Sequence, residues 1–134
     1  MAGDVPPEAE LEILAILTRS DGLSAKEIRE QLSPSRKLTN SAVSTLLSRL
    51  MSRGLIQRKK ANTDKTYLYR SAPKGVRIQR SVVRHLAKRL FGGDPTAMVA
   101  SLFEHRIPTP KELVQLQALL DKLKEQQVRS GEDE

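Results

Sequence analysis

Apolar residues recur at helical spacing through most of this chain and give way to a short strand-like pattern only between Leu55 and Arg70. Leu11, Ile13, Leu14, Ile16 and Leu17 suit a first helix from Glu8 to about Asp21-Gly22, where a left-handed glycine would stop it. A second helix opens at Ser24, whose hydroxyl forms a capping box with Glu27, and runs through Ile28 to Leu32 before Pro34 breaks it. The third is predicted from Thr39, as N-cap, to Ser52. Its buried stripe is Val43, Leu46, Leu47, Leu50 and Met51, and Gly54 ends it. A turn of about 100° per residue puts Ser41, Thr45, Ser48 and Ser52 on the opposite face, flanked by Ala42, Ser44 and Arg49. That face is rich in hydroxyls and nearly free of acids.

Leu55 to Lys59 and Thr66 to Arg70 read as two short strands around the polar turn Ala61-Asn62-Thr63-Asp64-Lys65, and Leu23 is placed to add a short third strand. Three helices followed by a basic hairpin is the order of a winged helix-turn-helix. After Pro73 the pattern is helical only. Val76 to Phe91 carries Val82, Val83, Leu86 and Leu90 and stops at Gly92-Gly93. Asp94 and Pro95 then cap and open a short helix containing Met98, Val99, Leu102 and Phe103. Thr109, Pro110 and Glu112 open the last helix, on which Leu113, Leu116, Leu120 and Leu123 form a stripe widened by Val114 and Leu119.

These last three helices are too short and too few to enclose a core. Val83, Leu86, Leu90, Phe91, Met98, Val99, Leu102, Phe103, Leu113, Leu116, Leu120 and Leu123 are therefore expected to pack against a second copy of the chain in a two-fold dimer. Packing back onto the winged helix is the alternative. The expected fold is mainly α. Residues 1–8 are expected to form a disordered leader, 9–73 a winged helix of three helices plus a small β-hairpin wing, 74–127 a three-helix dimerisation arm, and 128–134 a disordered tail.

Composition narrows the chemistry. At 134 residues the chain has no room for a large enzyme barrel. It has no Cys, which excludes disulfides, thiolate zinc sites and cysteine nucleophiles. His85 and His105 lie on different predicted helices with no carboxylates at ligand spacing, so no metal or other cofactor is expected. No nucleophile with a base, Gly-rich phosphate loop or convergent carboxylate pair is present either, and the chain does not read as an enzyme. Its longest apolar run, Ile13 to Leu17, falls far short of the roughly 20 residues that span a bilayer. Neither membrane insertion nor a signal peptide is expected, and a cytoplasmic, nucleoid-associated protein is.

Charge changes the picture most. The net +7 conceals a segment, residues 33–89, with 15 basic residues and a single acid, Asp64, a local net of +14 against −7 for the remainder. Ordinary surfaces intersperse both signs; this one calls for a polyanion, by default double-stranded DNA. In a winged helix the third helix enters the major groove, while the hairpin and helix ends hold phosphates. Asn40 is the best base reader, because its amide matches the N6/N7 edge of adenine. Ser41, Ala42, Ser44 and Thr45 offer single hydroxyl bonds or contact with a thymine methyl. Thr39, Ser48, Arg49, Arg53, Arg58, Lys59, Lys60, Lys65 and Tyr67 are the phosphate-binding candidates. Tyr67 and Tyr69 share one strand face, and core packing is the plainer expectation for each. The expected partner is an operator with two half-sites. The alternative for the same basic surface is an interaction module that docks an acidic protein without reading a DNA sequence.

Several stretches, in order over about residues 9 to 125, resemble the penicillinase repressor family, the BlaI/MecI type of winged-helix regulators. They are Ala9-Glu10-Leu11-Glu12, Leu23-Ser24-Ala25-Lys26-Glu27-Ile28, Thr45-Leu46-Leu47-Ser48-Arg49-Leu50 with Arg53-Gly54, Tyr67-Leu68-Tyr69, and Leu90-Phe91-Gly92-Gly93 with Ala97-Met98-Val99-Ala100. The resemblance implies a homodimeric bacterial repressor on a palindromic operator. It also implies release when a membrane sensor-protease triggers cleavage in the dimerisation domain in response to a β-lactam. The family's cleaved Asn-Phe bond aligns with Ser101-Leu102, a departure from the pattern. Copper sensing through a C-terminal cysteine cluster, used by one branch, is excluded by the lack of Cys. The family's Pro and basic residues at the start of the reading helix are replaced by Asn40, Ser41 and Ser44, which implies a different operator.

Overall fold

The structure, a computed structural model, describes residues 7–34, 36–61 and 65–133. The expected leader up to residue 6, the turn residues Asn62, Thr63 and Asp64, and Glu134 lie outside them. The elements are α1 (Glu8–Thr18), α2 (Ala25–Leu32), α3 (Asn40–Ser52), β1 (Ile56–Lys60), β2 (Tyr67–Ser71), α4 (Pro73–Phe91), α5 (Pro95–Ser101) and α6 (Pro110–Asp133). They divide into two compact units, Met1–Arg89 and Leu90–Glu134.

In the first unit, Ile13, Leu14 and Leu17 of α1, Ile28 and Leu32 of α2, and Val43, Leu47 and Leu50 of α3 are almost wholly buried. Leu55, Ile56 and Tyr69 join them from the hairpin. The core is aliphatic, and each large side chain in it is worth about 2–5 kcal/mol against alanine. The Ser24–Glu27 capping box is formed in both directions: Glu27 N donates to Ser24 Oγ at 3.2 Å and Ser24 N to Glu27 Oε1 at 2.9 Å. β1 and β2 pair antiparallel, with Arg58 opposite Tyr69 and Lys60 opposite Tyr67. The expected third strand is a single bridge, in which Leu23 N donates to Tyr69 O at 3.0 Å and Tyr69 N to Leu23 O at 2.7 Å.

Several boundaries in this unit and the next differ from expectation, those of β1 and β2 by a single residue each. α1 ends at Thr18, not at Gly22, whose φ is not positive. Its last turn tightens through short-range bonds from Arg19 N to Ile16 O and Ser20 N to Leu17 O, and this closes the helix without a glycine. α4 opens at Pro73 rather than Val76, since proline at the first helical position needs no donor. Ala72 N instead bonds Leu55 O at 3.0 Å. α5 stops at Ser101, leaving Leu102 and Phe103 in the turn beyond it.

The second unit holds the end of α4, then α5 and α6. Gly92 and Gly93, with φ of +58° and +85°, end α4 in a conformation that other residues resist. Asp94 Oδ1 accepts from Thr96 N and Ala97 N to start α5. Thr109 and Glu112 form a second reciprocal capping box at α6. No described side chain in this unit is buried. α6 continues to Asp133, so the expected disordered tail is helical as far as that residue. The apolar stripe ends near Leu123, but Lys124, Glu125, Gln126 and Gln127 are strong helix formers and carry the helix on.

Candidate nucleic-acid interface

α3 is positioned by its own cap and by the core beneath it. Thr39 Oγ1 accepts from Ala42 N at 3.1 Å, and Val43, Leu47 and Leu50 lock the inner face. Asn40 therefore stands exposed at the first helical position, beside the partial positive charge of the helix end. Ser41, Ser44, Thr45, Ser48, Arg49 and Ser52 line one shallow, open groove on the outer face. Ala42 is half-buried at its margin. Within the groove Thr45 Oγ1 donates to Ser41 O at 3.0 Å and Ser52 Oγ to Arg49 O at 2.9 Å. Those two hydroxyl protons are committed to the helix itself.

The turn into α3 is held by two arginines, Arg29 of α2 and Arg36. Arg29 Nε donates to Leu38 O at 2.7 Å. Arg36 bonds the Glu12 carboxylate and lies 3.5 Å from that of Glu8. Their partners are nine and more than twenty residues away in sequence, so only the packing of α1 and α2 against the turn reveals them.

On the wing, Lys59, Lys60 and Lys65 are exposed. Arg58 is differently employed: its guanidinium sits 3.9 Å over the Tyr67 ring. A hydrogen bond to Tyr69 holds it still more firmly protonated than usual. Tyr69 is buried and Tyr67 half-buried. Arg70, a residue the sequence gives no separate role, shares an open surface with Lys59 and Lys60; only the strand register brings it there. Arg53 is half-buried at the end of α3, where Gly54 at φ +74° turns the chain.

The residues expected at a dimer contact are distributed over both units. Val83 and Leu86 are exposed on α4 within the first. In the second, Leu90 and Leu102 are 66% exposed, and Val99, Leu113, Leu120 and Leu123 about half exposed. Phe91, Met98, Phe103 and Leu116 are half-buried there. Ser101 closes α5, with Leu102 as its C-cap. Among the described residues no three His, Asp or Glu side chains are placed to hold a metal ion, and no helix is long and apolar enough to cross a membrane.

A family model described as penicillinase repressor matches residues 7–122. The penicillinase repressor of Staphylococcus aureus is 25% identical over 113 residues, 84% of this chain and 88% of its own length. The methicillin resistance regulatory protein MecI of Mammaliicoccus sciuri is 26% identical over 114 residues, 85% of this chain and 91% of its own. Among solved structures, Streptococcus pneumoniae FabT in complex with DNA is similar over 88% of this chain and 73% of its own, with a TM-score of 0.54 at 20% identity, a likeness of fold.

Proposed function

The chain belongs to the penicillinase repressor family, and on that premise we propose that it represses transcription as a homodimer bound to a palindromic operator. The observation that carries the reading is the outer face of α3: exposed, free of acids, and lined by hydroxyls and Arg49. An acidic side chain there would repel phosphate. Its absence, next to a wing bearing Lys59, Lys60 and Lys65, fits a helix laid in the major groove.

Asn40 pairs with an adenine edge, and Ser41, Ser44 and Thr45 make single contacts to neighbouring bases, with Ala42 at the margin. Thr39, Ser48, Arg49 and Arg53 hold phosphates beside the groove, and Lys59, Lys60 and Lys65 hold those under the wing. Arg58 and Tyr67 serve the same contact by stiffening the hairpin. So few bidentate readers give modest direct readout, and specificity comes from two half-sites read together and from DNA shape.

The second unit supplies the partner contact. It buries none of its described side chains alone, and a second copy covering Leu113, Leu116, Leu120 and Leu123 removes that apolar surface from water. Release follows cleavage at Ser101–Leu102, triggered by a membrane sensor-protease; Leu102 is 66% exposed at a helix end, where a protease can reach it. The family is one of repressors rather than enzymes. The reading is tested by gel-shift titration of promoter DNA against unlabelled competitor. A band that survives excess unrelated duplex supports it, and a band that competitor removes completely contradicts it.

A further inference from the structure

α4 carries six cations and no acid. Lys74, Arg77, Arg80, Arg84 and Lys88 fall within roughly 120° of its circumference, and all five are exposed. Like charges one turn apart, as in Arg80 with Arg84 and Arg84 with Lys88, destabilise a helix. Among the described residues the ion pairs involve Arg36 and Arg106, and none reaches this edge. α6 shows how the same chain keeps a helix soluble without that cost: Lys111, Glu112, Asp121, Lys122, Lys124 and Glu125 mix their signs. The α4 edge is not built that way.

Its beginning adjoins the reading helix. Lys74 Nζ donates to the Arg53 carbonyl at 3.1 Å, and Gly75 is pressed against the Leu55 carbonyl just beyond α3. From there Arg80, Arg84 and Lys88 follow at intervals of about 6 Å along the axis, a spacing that long, flexible side chains can match to consecutive phosphates. Three of the five are arginines, whose planar fork suits phosphate oxygens.

We infer that this edge of α4 is a further interaction surface that takes the sugar-phosphate backbone of double-stranded DNA, extending the phosphate contacts of α3 and the wing. The inference rests on the DNA-binding reading above. It is tested with the full chain on a mixed-sequence duplex of about 40 base pairs over a salt series. The triple variant Arg77→Gln, Arg80→Gln, Arg84→Gln is compared with a control of equal charge change, Lys122→Gln, Lys124→Gln, Arg129→Gln, with circular dichroism to establish that both fold.

The edge variant is expected to flatten the slope of log K against log salt by about 2 to 3 for each protomer on the duplex, roughly 0.9 for each phosphate no longer neutralised, and to bind at least ~10-fold more weakly at low salt. The control stays near wild type. Equal behaviour of the two variants overturns the inference, as does a loss seen on phosphatidylglycerol vesicles but not on duplex. If the wild type binds duplex and Arg49→Gln weakens it while the edge variant does not, only this inference falls. If the wild type does not bind duplex at all, the DNA-binding reading falls with it.

Discussion

The Arg58 guanidinium lies 3.9 Å from the centre of the Tyr67 ring, across the diagonal of a hairpin in which Arg58 faces Tyr69 and Lys60 faces Tyr67. This stacking joins the two wing strands near their solvent end. Arg58→Ala and Tyr67→Leu are each expected to speed proteolytic nicking between Lys59 and Lys65. The double variant should fall short of the sum of the two singles, because both changes remove the same cation–ring stacking. Additive acceleration would show that the two side chains act separately.

Gly75 packs where no side chain fits. A Cβ there would stand 2.3 Å from the Leu55 carbonyl oxygen and 2.8 Å from Leu14 Cδ1. Gly75→Ala should therefore lower stability in urea by about 1–3 kcal/mol or more, through a shift of backbone rather than of a pliant side chain. Gly131→Ala on α6, with nothing near its Cβ, should be neutral or stabilising by about 0.5–1 kcal/mol.

Glu112 links the α6 cap to Arg106, whose Nη1 and Nη2 donate to its two oxygens at 2.8 and 2.9 Å. That bond, with the Thr109 backbone N–H, holds the carboxyl at about 2 against an ordinary 4.5. A carboxylate depressed in the folded state contributes fully above its ordinary pKa, and the contribution is lost as pH falls toward the depressed value. The thermal midpoint of wild type should therefore fall more steeply than that of Glu112→Gln between pH 4.5 and about 2. Parallel curves would mean that solvent screens the pair out.

Much of this was legible in the sequence, because it is encoded over three or four residues. The caps at Ser24, Thr39, Asp94 and Thr109 and the span of α3 from Asn40 to Ser52 all follow from local spacing. The outer hydroxyl face of α3 was equally legible, since periodicity fixes which side is buried. Residues whose partners are distant were not. The pairing of Arg36 with Glu12 spans 24 positions, and Arg58 reaches Tyr67 only once the hairpin register is set. The helical continuation to Asp133 was missed for another reason: the apolar stripe ends first, and propensity alone carries the helix.

The exposed stripe of α6 should set the oligomeric state. Leu113→Glu with Leu120→Glu is expected to leave helix content intact, shift the sedimenting species from dimer to monomer, and weaken operator binding by more than tenfold as two linked half-sites become independent. A wild type that sediments as a monomer would remove the basis of the two-half-site reading.

Arg49 tests the reading helix without touching its core. It lies in the α3 groove and its carbonyl accepts from Ser52 Oγ. As a phosphate ligand, Arg49→Gln should weaken specific and unrelated duplexes by similar factors and reduce the salt slope by about 0.9 per protomer, about 1.8 for the dimer. Asn40→Ala should instead reduce only the preference for the operator. Identical effects of the two substitutions would contradict the division between backbone and base contacts.

The most direct measurement is selection of bound duplexes from a random-sequence pool, followed by footprinting of the enriched sites. An operator-reading dimer enriches an inverted repeat and protects two half-sites on one face of the duplex, separated by about one helical turn or a multiple of it. Recovery of no common sequence, with uniform protection along the DNA, would contradict operator recognition and leave a sequence-independent polyanion binder.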